Sequence, residues 1–212
     1  KYVERNIPKE LPQSMSWCLR VFETNISNSS HCVMPLNIVS EIRRSVEPVR
    51  FSTHNMDTTK DNAFFINNIA KNLLLPDISG AMMPRIRVPE ICREKSCIVT
   101  HQRWRPMKSL LLDATYMGIP MIHNNSILKK CGAPYYYELN QIRDATAAYK
   151  KMNEDYVGST GFFSPNAAEV RRKILRAKFS PVALSATYTA ALTIPAAPPS
   201  VVAAIPATVK EL

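Results

Sequence analysis

A chain of 212 residues, 46% hydrophobic and 21% charged, has the balance of a globular protein rather than a disordered one and enough side chains for one core plus tails. A formal net charge of +10 admits acidic partners such as nucleotide phosphates, nucleic acid or an anionic surface. The basic residues fall in short groups (Arg43/Arg44, Lys129/Lys130, Lys150/Lys151, Arg171 to Lys173) typical of solvated helix faces, and no nucleic-acid-binding motif accompanies them, so specific nucleic-acid binding is not expected.

The first 15 residues are polar with two prolines and read as an extended arm. Residues 17–22 (WCLRVF) form a short β-favouring run, followed by a polar loop over 23–30. From 31 to 44, Val33, Leu36, Ile38, Val39 and Ile42 recur at near-helical spacing, with Pro35 tolerated in the first turn. A second strand is expected over 49–53, and a second helix over 61–75 that Pro76 stops. The centre of the chain is the clearest part. Residues 96–101 (SCIVTH) read as a buried strand, 107–116 as a helix closed by Gly118, and 119–123 (IPMIH) as the next strand. Two strands joined by a helix of that length are parallel neighbours, which predicts an α/β fold: a Rossmann-like parallel sheet flanked by helices over residues 16–180. A short basic helix over 126–131, the aromatic run Tyr135 to Tyr137, and helices over 139–152 and near 167–178 follow.

From Pro181 the composition turns to alanine, proline, valine and threonine, so residues 181–212 read as a flexible tail or a strap that folds on a partner. The five cysteines show no CxxC pair, which argues against a zinc ribbon or a disulfide framework; reduced thiols are expected, with no metal and no cofactor. No apolar run reaches the roughly 18 residues of a membrane span. Without a signal-peptide core near the start, a cytoplasmic or virion location is expected rather than secretion. Beginning at Lys1, the sequence fits a piece of a longer chain.

Residues 110–125 (LLLDATYMGIPMIHNN) resemble the signature of GT-B glycosyltransferases, in which a helix bearing an acidic residue and an alanine leads through glycine and proline into a strand. A wider resemblance, over most of residues 17–156, is to a family of glycosyltransferase-like proteins found in bacteria, phages and large DNA viruses. Its blocks, in order, are VFETNIS (21–27), HCVMPLNIVSE (31–41), THQRW (100–104), the signature itself, and CGAPYYYELN (131–140). The resemblance implies a partner, a nucleotide-diphosphate sugar, held at the carboxyl ends of the strands, where helix N-termini meet phosphate. It makes Asp113 the candidate ribose ligand, with Gly118 and Pro120 setting the turn into the strand.

The chain departs from the pattern about two helical turns before Asp113, where GT-B enzymes often carry a second carboxylate. Here Arg103, Trp104, Arg105 and Pro106 stand, and the two arginines are suited to clamping a diphosphate or mark a site that has lost its chemistry. His101 and His123 end strands and face the presumed crevice, with a satisfied structural role equally open to each. Glu23 and Asn25 follow the first strand as crevice groups or loop caps, and Asn124 is a hydrogen-bonding loop residue or a turn former. The tyrosine run stacks on a base or sugar or fills the core. Two functions result: a nucleotide-sugar-dependent glycosyltransferase or its degenerate remnant, with the catalytic residue unassigned, or a non-catalytic component of a large assembly such as a virus particle that binds neighbours through 1–15 and 181–212. The first requires Asp113 and His123 to share one phosphate-sized hollow.

Overall fold

The computed structural model describes residues 16–23, 31–46, 49–75, 77–92, 94–103, 108–139 and 141–192. The expected arm over 1–15, the tail beyond 192, and the candidates Asn25 and Arg105 lie outside the described residues. The chain divides into two compact units, Lys1–Leu175 and Arg176–Leu212.

In the first unit, β1 (Cys18–Val21), α1 (Val33–Ser45), β2 (Arg50–His54), α2 (Ile78–Ala81), β3 (Met82–Met83), α3 (Val88–Ile91), β4 (Ser96–Val99), α4 (Ser109–Met117), β5 (Met121–Ile122), α5 (Ser126–Lys130) and α6 (Ile142–Val157) follow one another. The strands form one sheet in the order β3-β2-β1-β4-β5, and every pairing is parallel. Leu19 lies opposite both Phe51 and Cys97, so the three central strands share one register. The fold is thus the expected Rossmann-like α/β sheet, and its strand order reverses between β1 and β4.

Alternation along the strands gives the sheet two unlike faces. Leu19, Val21, Phe51, Cys97, Val99 and Ile122 belong to a large apolar cluster with Leu36, Ile38, Val39 and Ile42 of α1 and Ala145, Tyr149 and Met152 of α6. The opposite face carries Ile98 and Met121, packed with Leu111, Ala114 and Met117 of α4 and Ile91 of α3. Over β1 and β2 that same face is polar, with Arg20, Ser52 and His54 all buried. Helix α4 ends as its sequence dictates: Gly118 takes a left-handed φ of 82°, and its N–H reaches the carbonyls of Ala114 and Thr115.

Several elements differ from the expectation. Residues 65–70 wind as a π-helix, Phe65–Ala70, rather than as part of one α-helix. Phe65, Ala70 and Leu75 are all buried, and their spacing of five matches i→i+5 winding; the Lys71 N–H bonds Ile66 O and the Leu75 N–H bonds Ala70 O, each at 3.3 Å. Helix α6 starts at Ile142, later than expected, and just before it the Gln141 N–H donates to Glu138 O at 3.1 Å. The tyrosine run is strand-like: Tyr135 and Tyr137 enter the large core, while Tyr136 bridges His123 in parallel. Strand β3 and the short helices around it had no sequence signal.

Helix α7 (Pro165–Phe179) contains the boundary between the units. In the second unit the Pro/Ala-rich segment begins as a helix, α8 (Pro181–Leu192). Proline suits the first helical position, alanine and leucine are strong helix formers, and Ser180 Oγ caps the end by accepting from the Ala183 N–H at 3.2 Å. No helix among the described residues is long and apolar enough to cross a membrane.

Candidate functional site

In an open parallel sheet the chain leaves neighbouring strands in opposite directions where the strand order reverses, and a crevice opens at their carboxyl ends. Here β1 and β4 end at Val21 and Val99, leading into Phe22 and Glu23 on one side and Thr100 to Arg103 on the other. A cavity of about 530 Å³ lies there, within the range of small-molecule sites. Its polar lining comes from four separate segments: Glu23 after β1, Asn55 after β2, Arg85 and Arg87 between β3 and α3, and Lys108, Ser109 and Asp113 at the start of α4.

The start of α4 is suited to an anion. Its N-cap is Lys108, no side chain caps its first N–H groups, and no acidic residue occupies its first turn. Exposed N–H groups and the positive end of the helix dipole therefore face the cavity through Ser109 and Leu110. Asp113 is half-buried and has no hydrogen-bond or salt-bridge partner among the described residues; burial holds its carboxyl above the usual aspartate range. A carboxylate placed this way has both oxygens open to ligand hydroxyls.

Glu23 is 1% exposed. One oxygen accepts a hydrogen bond from Thr100 Oγ1 and lies 3.8 Å from Lys108 Nζ, while Oε2 is buried with no partner. Burial raises its pKa, opposed first by the Lys108 charge and then by the Thr100 bond. His31 Nδ1 and both polar atoms of Gln102 are likewise buried without partners. Glu23 and Gln102 follow directly on the two central strands, so unmet polar groups gather at the end of the sheet where a ligand would bind.

The other candidates divide. His123 does not line the cavity and does not share a hollow with Asp113. It is fully buried, its Nδ1 accepting from the Asn125 N–H at 3.1 Å and its Nε2 donating to Ala133 O at 3.0 Å. Both ring nitrogens are spent on the turn from β5 into α5, and burial lowers the pKa to about 4, so the ring is a neutral pin. Asn124 is also structural, joining two strand ends by accepting from the Gln102 N–H at 2.8 Å and donating to Gln102 O at 3.0 Å. Gly118 sits at the far end of α4 and serves as its cap. His101 is buried and bonds Tyr137 Oη through Nδ1 at 2.9 Å; as that hydroxyl donates to Thr100 O, the histidine is the donor. Burial lowers its pKa, with the charges of His31 and Arg103 adding to the effect, which places His101 and Arg103 at the β4 end of the crevice but outside the cavity lining.

A second cavity of about 600 Å³ continues along the same face, with Arg85 and Ile86 lining both. Its floor is a network around Arg20, which donates from Nε to Ser96 Oγ at 2.8 Å, from one terminal nitrogen to Ser52 Oγ at 3.2 Å and His54 Nε2 at 3.0 Å, and from the other to Glu94 at 2.7 Å. His54 completes the set by donating from Nδ1 to Pro84 O at 3.3 Å while its ring stacks on Phe22 at 4.8 Å.

Lys108, Ser109, Arg85 and Arg87 were not singled out from the sequence. A positive residue two places before the signature block was a signal available for Lys108. For the arginines there was none, because β3 is two residues long and only the fold brings their segment beside α4.

Comparison with known proteins agrees with this architecture. The sequence profile of a family described as "Protein of unknown function (DUF2827)" matches residues 5–192. The chain belongs to this family. No curated protein matches it. Among solved structures, a point mutant of S. aureus TarM in complex with fondaparinux, α-GlcNAc-glycerol and UDP aligns with a TM-score of 0.62 at 11% identity, over 88% of this chain and 37% of that one. A second structure of TarM, a GT-B glycosyltransferase, gives a TM-score of 0.59 at 13% identity, over 89% of this chain and 37% of that one. At such identities the likeness shows the fold alone. This DUF2827 chain has a glycosyltransferase-like, Rossmann-like fold and spans little more than a third of the length of those structures.

Proposed function

We propose that the chain binds a nucleotide-diphosphate sugar in the cavity at the ends of β1 and β4, as the donor-binding part of a glycosyltransferase. The observation that carries this reading is the uncapped start of α4 opening into a cavity that also holds the unpartnered Asp113. Asp113 accepts hydrogen bonds from the two ribose hydroxyls. The N–H groups of Ser109 and Leu110, with Lys108, Arg85 and Arg87, take the diphosphate, three cations outweighing the two carboxylates of the lining. In the transfer itself an acceptor oxygen bonds the anomeric carbon, the bond from that carbon to the diphosphate oxygen breaks, and the acceptor's proton passes to a base. The developing charge on the leaving diphosphate is then stabilised by the same helix end and cations. The likeness to TarM supports the assignment at the level of fold, and that protein's complex with UDP makes uridine nucleotides the first probes.

Titration calorimetry with UDP, UDP-glucose, UDP-N-acetylglucosamine and GDP-mannose tests the reading. At least one of them is expected to saturate the protein, and Asp113→Ala is expected to weaken that binding about tenfold or more. Absence of binding by any of the four, or equal affinity in Asp113→Ala, refutes it.

A further inference from the structure

The groups lining the cavity occur in an order. Asp113 lies four residues beyond Ser109, about 6 Å along the axis of α4. Lys108 stands at the helix start, on the side of Ser109 away from Asp113 in the chain, and the carboxyl of Glu23 is 3.8 Å from Lys108 Nζ. A ligand that sets its ribose on Asp113 and its diphosphate on the helix start therefore presents to Glu23 whatever is attached beyond the second phosphate, which is the sugar.

The chemistry of Glu23 fits a hydroxyl-bearing group at that position and not the diphosphate. Its Oε1 is held by Thr100 Oγ1, which fixes the orientation of the carboxyl, while Oε2 is buried with no partner. A buried carboxyl oxygen left unmatched carries a desolvation cost, and proteins keep such groups where a ligand or strain accounts for them. A charged phosphate would be repelled by a carboxylate there, whereas a hydroxyl supplies the missing hydrogen bond. We propose that Glu23 is a specificity-determining residue of this site, its Oε2 accepting a hydrogen bond from a hydroxyl of the donor sugar. This rests on the nucleotide-sugar reading of the cavity. The raised pKa of Glu23 agrees with a carboxyl that lacks water and awaits a partner. Glu23 is then the carboxyl at the sugar end of the cavity, and Asp113 is the carboxyl that α4 supplies to the lining.

The test compares UDP with the UDP-sugar that binds best, in the full chain and in Glu23→Gln and Glu23→Asp. Glutamine keeps an oxygen for Thr100 but places an N–H₂ group where Oε2 stood; aspartate keeps the charge and withdraws it by one methylene. Both variants are expected to bind UDP within about twofold of the parent chain and the UDP-sugar about tenfold or more weakly. Far-UV circular dichroism and thermal unfolding check that each variant is folded, and the retained UDP affinity is itself a second check. Equal loss for UDP and UDP-sugar, or unchanged affinity for both, overturns the assignment of Glu23 and leaves the nucleotide site standing. Failure of the parent chain to bind either probe overturns the nucleotide reading, and this inference with it.

Discussion

Two polar regions occupy one face of the same sheet and are built on opposite principles. Around Arg20 every guanidinium nitrogen has a partner, and both nitrogens of His54 are engaged. Around Glu23, just past the end of the strand that carries Arg20, a carboxyl oxygen is buried with none. The first arrangement fixes the register of β1 against β2 and β4, since Ser52 and Ser96 come from those strands. The second leaves hydrogen-bonding capacity unmet at the end of the sheet. A matched network stabilises the fold, an unmatched group reserves capacity for a ligand, and the two should respond differently to acid and to mutation.

Acid gives the largest contrast. His54 and His123 are both held near a pKa of about 4 by burial, below the ordinary value of 6.5. The unfolded chain takes up protons that the folded chain refuses, so the stability these groups contribute is present above pH 6.5 and is lost as pH falls through 4. The unfolding free energy is expected to decline by up to roughly 1.4 kcal/mol per pH unit for each histidine in that window. Urea titrations at pH 7, 5.5 and 4.5 measure it, and His54→Gln should flatten the slope. Glu23 has the opposite sign: its pKa is raised above 4.5, so its stabilising contribution exists below 4.5 and fades as pH rises through the folded value. Glu23→Gln should therefore gain stability relative to the parent chain as pH increases, and a constant difference would break the comparison.

Next in size is Arg20→Leu. It strips donors from Ser52, His54, Ser96 and Glu94 at once, and a loss of about 3 kcal/mol is expected. The same measurement on Glu23→Gln at pH 7 should show a change within about 1 kcal/mol, because the Thr100 bond is kept and one unmatched polar group replaces another. Comparable losses in the two variants would mean that Glu23 is a structural group.

Arg171 offers an intermediate case. Its guanidinium lies 3.7 Å over the Phe162 ring and donates to Phe162 O at 2.7 Å, yet Nε is buried without a partner. Gly132, at φ 88°, makes room for it: a Cβ there would fall 2.7 Å from Arg171 Cγ. Gly132→Ala is expected to cost about 1–3 kcal/mol. Gly80→Ala, where a Cβ meets nothing within 4 Å and φ is not positive, should stabilise by about 0.5 kcal/mol; scanning calorimetry of the two variants measures both effects.

Much of the α/β framework was legible because it is written in local patterns. The buried runs of β1, β2 and β4, the periodicity of α1, and Gly118 at the end of α4 each depend on a few neighbouring residues. Asp113 was singled out through the resemblance of one contiguous block to the GT-B signature, and it lines the cavity. The misreadings occurred where a side chain's partner is distant in sequence. His123 looked like a ligand group at a strand end, but Ala133 returns to take its Nε2 proton. Nothing local distinguishes it from His101.

The sequence by itself determined the fold class and the parallel crossover through α4, because hydrophobic period, a helix-closing glycine and a turn into the next strand act over a few residues. Only the tertiary structure decided which polar groups are matched. Arg85 and Lys108 meet across one cavity, Arg20 finds Glu94, and Glu23 Oε2 finds no partner, because hydrogen-bond satisfaction is a property of segments brought together by the sheet and not of any one of them.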